Sequence, residues 1–515
     1  MRCRTMLCTA LVLSVGGFAV CAAAKEPAPK EPAHKPDAPA ASAQEVPEPL
    51  SISAAHGALG VTLTAKLAQV TVAGRTFVSN VYNGLYIPPV LRLRRGDALR
   101  LRLVNSIGRA EMEIDKPEVT NLHYHGMALP PVQPADDIYM LVPALDMKLG
   151  KHTAHPGVDL KDTNSFEYQW TVPDDHPMGV FWYHPHPHGL TEDQVLGGMS
   201  GMLVIEGLIE TQYKELLGLR RRTLIFKDIE LPGAKESDPK TKTINGILGG
   251  TLSTQPGAFE IWELGNLGAD SYIDLALDGH SFFVLERDGN ALVQPEKTGH
   301  VFLPPASRAT VVVETGAAGR YTLRSRKVET GRLGDPNPEI VLATLHAGGA
   351  PVDGAAIRAR LARPAAAPDK IGPTAAQVAA LPVTAKRRIV YTENADGTKF
   401  FINGKAFAAD RIDVDVTLGD VEEWTIVNNS DERHTFHIHQ TDFLVQSTGG
   451  STLETAGMRD NVDIPYRDPK TRKPAEVKLK IPFTNPTIVG KFPFHCHILE
   501  HEDGGMMMNL RVSAP

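Results

Sequence analysis

Apolar and polar residues alternate in short runs along most of this chain, which is typical of half-buried β-strands. Leu99, Leu101 and Leu103 alternate with arginines, so that one face of the predicted strand is apolar and the other is charged. Continuous apolar runs at 202–205 and 311–313 indicate strands that are buried on both faces. The pattern predicts an all-β chain built from sandwiches.

Interruptions of this pattern divide the chain into segments. Residues 25–50 are rich in Pro, Ala and Lys and are predicted to be a disordered tether. Residues 348–385 are rich in Gly, Ala and Pro and are predicted to be a linker, with helical periodicity at 353–362 and 374–380. Asn403-Gly404 has the sequence of a tight hairpin turn.

An internal repeat relates the first part of the chain to the last. Residues 179–186 match residues 490–497, with a glycine, a phenylalanine, a further aromatic residue and two histidines at the same offsets. In the later copy Cys496 replaces Pro185. We therefore predict that the first and last domains are copies of one sandwich, each with a His-x-His strand. The predicted domains span 51–210, 215–347 and 386–515.

The N-terminus has the composition of a targeting segment. Arg2 and Arg4 precede an apolar stretch, and Ala22-Ala23-Ala24 offers a small-residue cleavage site, so residues 1–24 are predicted to be a signal peptide. The protein is expected to be exported, to a bacterial periplasm or out of the cell. A lipid on Cys21 is the less favoured alternative, because Val20 is a poor match to the residue that precedes a lipidated cysteine.

Charge and cysteine usage narrow the function further. The net charge is −7 without a basic block, which argues against binding to nucleic acid or to an anionic membrane surface. No other stretch is apolar and long enough to span a bilayer. Three of the four cysteines lie in the signal segment, so Cys496 is the one thiol left after cleavage. Metal ligation would protect such a thiol in an oxidising compartment, as would plain burial.

Histidines supply the candidate chemistry. Of the 19 histidines, 11 lie in four clusters, which are His123/His125, His184/His186/His188, His434/His437/His439 and His495/His497/His501. A single His-x-His pair on a strand is usually a surface feature. Two pairs from each of two domains bring eight imidazoles together, which suits about three metal ions.

The run His495-Cys496-His497 is the most specific motif. On a strand its histidines face one way and its cysteine the other, so the tripeptide could contact two metal centres. His501 and Met506 follow it, and Cys and His with a weak Met form the ligand set of a blue-copper site.

In this order and spacing, the clusters resemble the signature of the three-domain multicopper oxidases, the family that includes laccases and bacterial cuprous oxidases. The likeness covers residues 50–515 and implies three tandem cupredoxin-like Greek-key β-sandwiches, the middle one without copper ligands. It also implies four copper ions. The type 1 copper would be held by His434, Cys496 and His501 with Met506 axial, the type 2 copper by His123 and His437, and the type 3 pair by His125, His184, His186, His439, His495 and His497.

The resemblance also implies groups that deliver protons. Glu502 matches the family's relay carboxylate, and Asp136 or Asp137 could serve the type 2 side, although both could equally be solvated surface acids. His188 is treated as a non-ligand that could donate to a ligand. The stretch at 128–165, which contains His152 and His155, is expected to be an extra loop near the copper cluster or the substrate entrance.

The implied activity is one-electron oxidation of a small reducing substrate coupled to reduction of O₂ to water. Phenols and similar aromatics are the favoured donors, because the chain has no Met-rich insertion, and Cu(I) oxidation in copper tolerance is the alternative. A non-enzymatic copper carrier would not need eight extra histidines, and nothing in the chemistry of a zinc hydrolase calls for the pair of Cys496 and Met506. A monomer is expected. Asp431, Glu432 and Asp460 are predicted to be surface acids, or else to line the approach to His434.

Overall fold

The computed structural model describes residues 44–107, 119–144, 156–235, 238–366 and 373–515. The predicted signal peptide, most of the predicted tether, and His152 and His155 lie outside these ranges. Strands dominate the described chain and are arranged in three pairs of large sheets, so the predicted all-β architecture is confirmed.

The first sandwich comprises residues 51–205. Its strands are β1 Ser51–Ser53, β2 Ala58–Val72, β3 Arg75–Tyr82, β4 Val90–Leu93, β5 Ala98–Ser106, β6 Val119–Thr120, β7 His123–His125, β8 Met140–Pro143, β9 Asp159–Leu160, β10 Ser165–Thr171, β11 Gly179–His184 and β12 Gly201–Ile205. One sheet has the order β1-β4-β12-β11-β7 and the other β10-β5-β2-β3, with a small β6-β8-β9 sheet beside them. Leu101 and Leu203, from opposite sheets, are fully buried in one core.

The middle sandwich comprises residues 220–347. Its strands are β13 Arg220–Ile229, β14 Thr241–Ile244, β15 Gly250–Thr254, β16 Phe259–Asn266, β17 Ile273–Leu277, β18 Phe282–Arg287, β19 Asn290–Thr298, β20 Val301–Leu303, β21 Arg308–Glu314, β22 Gly319–Ser325 and β23 Ile340–Ala347. The sheets run β14-β13-β16-β21-β18-β19 and β15-β23-β22-β17-β20. Trp262 and Leu275, from opposite sheets, share its core.

The last sandwich comprises residues 385–513. Its strands are β24 Ala385–Glu393, β25 Phe400–Ile402, β26 Val414–Thr417, β27 Val421–Asn428, β28 His434–Ile438, β29 Phe443–Ser447, β30 Gly457–Arg459, β31 Asn461–Ile464, β32 Ala475–Pro482, β33 Gly490–Cys496 and β34 Met507–Ser513. The sheets run β25-β24-β27-β32-β29-β30 and β26-β34-β33-β28-β31. Trp424 packs edge-on against Phe494 in the core between them.

Helices are few and short, as predicted. They are α1 Thr191–Gly197, α2 Leu208–Gln212, α3 Ala355–Leu361, α4 Ala375–Ala380 and α5 Leu499–Asp503, with single 3₁₀ turns at Lys214–Leu216 and Pro486–Ile488. The helices α3 and α4 fall within the two stretches that have helical periodicity. Within the described ranges, no helix is both long enough and apolar enough to cross a bilayer.

The end of the predicted tether is folded. Residue Glu45 forms a parallel bridge with Thr251 of β15, and the side chain of Val46 is buried in the middle core. The prediction of disorder is therefore wrong for residues 44–50, because one apolar side chain and an open sheet edge are enough to anchor them.

A candidate metal centre between the first and last sandwiches

The sequence repeat becomes a structural repeat in which strands pair in the same register. In the first sandwich His184 of β11 lies opposite His123 of β7. In the last sandwich His495 of β33 lies opposite His437 of β28. Each strand pair therefore places its His-x-His motifs side by side at one end of a sheet.

The two strand pairs meet face to face. The ring of His123 stacks on that of His439, and the ring of His125 stacks on that of His437, both with centroids 3.8 Å apart. All eight imidazoles of the predicted cluster are buried. Burial also lowers the pKa of most of these rings, to about 3 for His495, so they are neutral at pH 7 and able to bind a metal.

The tautomers of several rings are fixed by their neighbours. The Nδ1 atoms of His184 and His437 lie 2.9 and 2.7 Å from the main-chain carbonyls of Pro185 and Asp460, which can only accept, so these nitrogens carry protons. The opposite nitrogens, Nε2, keep their lone pairs and have no hydrogen-bond partner among the described residues. Buried acceptors without partners are costly, and a metal ion would satisfy them.

Nitrogens from different strands also point at common positions. The Nε2 atom of His495 lies 3.1 Å from that of His439 and 3.4 Å from that of His186. On the other side, Nε2 of His497 lies 3.1 Å from Nδ1 of His125. These groups of imidazole nitrogens suit copper, for which imidazole is a preferred ligand.

A second cluster lies on the opposite side of β33. The Nδ1 atoms of His434 and His501 are 2.9 Å apart, and the sulfur of Cys496 lies 3.6 and 3.5 Å from them. The Thr435 N–H points at the same sulfur at 3.4 Å. Met506 is buried in the same core, and its carbonyl accepts the Cys496 N–H. A thiolate with two imidazoles is a donor set that selects copper.

Two of the predicted proton-relay residues contact cluster histidines. Asp136 lies 3.0 Å from Nδ1 of His123 and also accepts a hydrogen bond from Gln440, which excludes the surface alternative for it. Glu502 lies 3.3 Å from Nδ1 of His186 and 3.2 Å from that of His495, and burial raises its pKa well above the usual range.

Other predicted residues lie elsewhere. Asp137 accepts hydrogen bonds from the side chain of Gln133 and the main chain of Tyr139 rather than from a cluster histidine. His188 is exposed and packs against the ring of Phe407 at 4.7 Å, so it is not among the cluster rings. Of the stretch at 128–165, the structure describes residues 128–144 and 156–165. This described part includes Asp136, which contacts His123 of the cluster.

The prediction of three surface acids is wrong. Asp431, Glu432 and Asp460 are all buried, because each faces a cation or an imidazole from a neighbouring segment. Asp460 lies 3.4 Å from Nε2 of His125 and receives two hydrogen bonds from Arg308 of the middle sandwich, at 2.8 and 2.7 Å. Sequence reasoning missed Arg308, since no motif surrounds it.

A cleft opens beside His501, between the middle and last sandwiches. The ring of Phe400 stacks on that of His501 with centroids 4.1 Å apart, and the carboxylate of Glu432 lies 3.4 Å from Nε2 of His501. Lys240, Asp335 and Glu500 also line the cleft, and none of its lining residues in the described ranges carries sulfur.

Known proteins place this arrangement in a family. Two family models, both described as multicopper oxidase, match residues 182–350 and 380–515, together more than half of the chain. The multicopper oxidase mco of Staphylococcus haemolyticus is 26% identical over 89% of each chain, and a laccase of Bacillus subtilis is 23% identical over 84% of this chain and 90% of that one.

Solved structures agree on the fold. A multicopper oxidase from Campylobacter jejuni, described as a metallo-oxidase, aligns with a TM-score of 0.70 at 24% identity, covering 91% of this chain and 96% of the other. The multicopper oxidase McoA of Aquifex aeolicus aligns with a TM-score of 0.70 at 22% identity, covering 92% and 100%. The chain thus belongs to the multicopper oxidases, copper-dependent oxidoreductases that use O₂, bind four copper ions and have cupredoxin-like domains.

Proposed function

We propose a specific ligand set for the four coppers. His434, Cys496, His501 and Met506 would hold the type 1 copper, and His123 and His437 would hold the type 2 copper. The type 3 pair is held by His125, His184, His186, His439, His495 and His497. Support comes from the convergence of the imidazole nitrogens and the Cys496 sulfur and from the buried imidazole nitrogens that lack another partner among the described residues, and for Met506 from its burial in the same core as Cys496.

When bound, copper supplies the one-electron chemistry and the reduction of O₂. The chain joins the two ligand sets through the tripeptide His495-Cys496-His497, since adjacent residues of β33 face opposite sides of its sheet. The N–H of Thr435 donates to the sulfur of Cys496 at 3.4 Å and so orients that side chain.

Protons for water formation are assigned to Asp136 and Glu502. Asp136 Oδ2 lies 3.0 Å from Nδ1 of His123, and the same oxygen accepts a hydrogen bond from the side-chain amide of Gln440 at 2.7 Å. Glu502 lies between two cluster histidines and 3.1 Å from the hydroxyl of Thr191 on α1. Burial raises the pKa of Glu502 and so favours the protonated form of its carboxyl group, the form that can donate a proton. Asp137 is not assigned a part in proton delivery, because it accepts hydrogen bonds from Gln133 and Tyr139.

The favoured donor is a phenol or a similar aromatic. The observation that carries this choice is the carboxylate of Glu432, which lines the cleft and contacts His501, the ring through which an electron would leave the donor. A carboxylate there accepts the hydroxyl proton of a phenol. Cu(I) prefers thiolate and thioether ligands, and the described lining of the cleft offers neither.

Oxidation of a harder metal ion is the second candidate. Asp335, Glu432 and Glu500 all face the cleft, and carboxylates suit Mn(II) better than they suit Cu(I). The Campylobacter jejuni relative is described as a metallo-oxidase. Turnover measurements on this protein distinguish the two donor classes.

The test is O₂ uptake by the copper-loaded protein with a methoxyphenol, Cu(I), Mn(II) and hexacyanoferrate(II) as donors. We expect the phenol to be oxidised fastest. Glu432→Gln should lower phenol turnover about a hundredfold by removing the proton acceptor, with little effect on hexacyanoferrate(II), which releases no proton. Asp335→Asn, in the same cleft, is the matched control for phenol and hexacyanoferrate(II) turnover, neither of which it should change. Faster turnover of either metal ion than of the phenol would contradict the proposed donor.

We also propose export to a periplasm or out of the cell. Support comes from the predicted signal peptide at 1–24 and from the burial of Cys496, the one thiol that cleavage would leave.

A further inference from the structure

Helix α5 carries two functional side chains but has no N-terminal cap of its own. His501 belongs to the proposed type 1 site, and Glu502 contacts histidines of the other cluster. The residue at the N-cap position is Ile498, whose side chain cannot accept a hydrogen bond. A helix of one turn is too short to be stable by itself, so its first N–H groups need acceptors from elsewhere.

The acceptors come from the middle sandwich. Asp270 is buried, and its Oδ1 accepts hydrogen bonds from the main-chain N–H groups of Leu499 at 3.0 Å and Glu500 at 3.3 Å. Its other oxygen, Oδ2, lies 3.0 Å from the ammonium group of Lys240. The Leu499 N–H is shared with the carbonyl of Ala269 at 3.2 Å, whereas the Glu500 N–H points at the carboxylate, so Asp270 does for α5 what an N-cap side chain usually does from within the helix.

The loop that presents Asp270 is itself held in place. The buried carboxylate of Asp228 accepts three consecutive main-chain hydrogen bonds, from Ala269 at 2.7 Å, Asp270 at 3.0 Å and Ser271 at 2.7 Å. A carboxylate that accepts three N–H groups fixes the backbone between them. The position of Asp270 is therefore set by β13, which carries Asp228, and not by α5.

The far end of α5 is tied to the first sandwich. The carboxylate of Asp503 accepts the N–H groups of Gly189 at 2.6 Å and Glu192 at 2.9 Å, at the start of α1. The helix is thus held by the middle sandwich at its beginning and by the first sandwich at its end, although it belongs to the last one.

We propose that Asp270 is a positioning residue for the type 1 site. By capping α5 from the middle sandwich, it fixes the ring of His501 at its distance from Cys496 and His434. This role does not depend on which substrate donates the electrons, but it rests on the proposed function of His501 as a ligand of the type 1 copper. It gives the sandwich that has no ligands of its own a direct part in the geometry of the site.

Three variants separate the position of the acceptor from its charge. Asp270→Asn keeps an oxygen acceptor in place and removes the charge. Asp270→Glu keeps the charge that faces Lys240 and moves the acceptor by one methylene, while Asp270→Ala removes both. Asp335→Asn is the matched control, because Asp335 pairs with the same ammonium group at 2.7 Å but is not a cap of α5.

The readouts are the blue absorption band, the type 1 reduction potential and the copper content of the purified protein, with thermal unfolding as a check of folding. We expect Asp270→Asn and Asp335→Asn to match the wild type and Asp270→Glu to shift the band and the potential. The affinity of Asp270→Ala for the type 1 copper should be roughly 10- to 100-fold lower than that of the wild type, as is usual when a group that orients a metal ligand is lost.

Two outcomes would overturn the proposal without touching the ligand assignment. One is a wild-type band and potential in Asp270→Glu, together with a perturbed Asp270→Asn, which would make charge the property that matters. The other is a wild-type band and potential in all three variants. A copper-loaded wild-type protein without a blue band would instead overturn the ligand assignment and this inference together. If Asp270→Ala does not fold, the Asn and Glu variants still decide.

Discussion

The first and last sandwiches present the same strand pair to their shared interface but differ in what lies behind it. In both, a His-x-His strand lies antiparallel to a second one in the same register, His184 opposite His123 and His495 opposite His437. The next residue of the longer strand is Pro185 in one copy and Cys496 in the other. The shared register builds the eight-histidine cluster, and the difference builds a second site.

The remaining ligands of that second site also have counterparts in the first sandwich. At the positions equivalent to His434 and His501, the first sandwich has Thr120 and Leu190. Thr120 is buried and hydrogen-bonded to Gln194, so its neighbourhood is packed with the protein's own groups. The two copies thus share the pairing of their strands and differ in a few side chains, which supply the donors of the proposed type 1 site in the last sandwich and not in the first.

The strongest test of this comparison replaces the one residue that distinguishes the two strands. Cys496→Ser should abolish the blue band and reduce O₂ uptake with every donor to background, because the hard hydroxyl does not replace a thiolate at copper. The coppers held by the eight histidines should remain, as measured by copper content. Pro185→Ala, at the equivalent place in the first copy, is the control and should stay blue. A blue Cys496→Ser variant would contradict the type 1 assignment.

A smaller effect is expected from the arginine that joins the two copies. Arg308 donates to the carbonyl of Val180 in the first sandwich and to the carboxylate of Asp460 in the last. Arg308→Gln leaves a buried carboxylate without its charged partner and should lower the free energy of unfolding by about 3–5 kcal/mol. The measurement is denaturant unfolding of the copper-free protein.

The control for that measurement is an exposed pair. Arg511 and Asp415 are 51% and 54% exposed, so Arg511→Gln should lower the free energy of unfolding far less than Arg308→Gln does. Equal effects of the two substitutions would mean that the first and last sandwiches are held together by their own contacts, without help from the middle one.

The smallest expected effect concerns Glu286, whose buried carboxyl lies against Gly179 at the start of the repeat. A side chain at Gly179 would collide with the buried carboxyl of Glu286, whereas at the equivalent Gly490 it would meet Pro131. Burial raises the pKa of Glu286 from 4.5 to about 7. The stability that its protonated form gives is therefore present below about pH 4.5 and is lost as the pH rises through 7.

Glu286→Gln removes this titration while it keeps an acceptor for the N–H of Gly289. The midpoint of thermal unfolding should then fall less between pH 5 and pH 8 than in the wild type, by about 2 °C. The same pH profile in both proteins would show that the carboxyl does not titrate in this range.

The features that the sequence predicted are those set by neighbours in the chain. Alternation of side chains on a strand placed Cys496 and its two flanking histidines on opposite faces, and the spacing of the histidine pairs predicted the cluster. What the sequence could not reveal depends on contacts between sandwiches. Nothing near Asp136 or Asp137 says which of them reaches His123, and nothing near Asp270 or Arg308 indicates a site.

The burial of Glu432 and Asp460 also depends on contacts between segments that are distant in the sequence. Both carboxylates read as solvated acids because their partners, His501 and Arg308, are distant in the sequence. Charged residues are usually exposed unless they are paired, and the pairing here is decided by which sandwiches pack together. The order of residues 44–50 has a related cause, because the sheet edge that they cover belongs to β15, which is distant in the sequence.

The strand β33 also limits how the length of this chain can change. Because successive side chains alternate between faces, one inserted or deleted residue between Gly490 and His495 would exchange the sides on which the thiol and the imidazoles lie. Both ligand sets would then be broken by a single change in length. We therefore expect sequences of this type to tolerate substitutions in that strand far better than insertions or deletions.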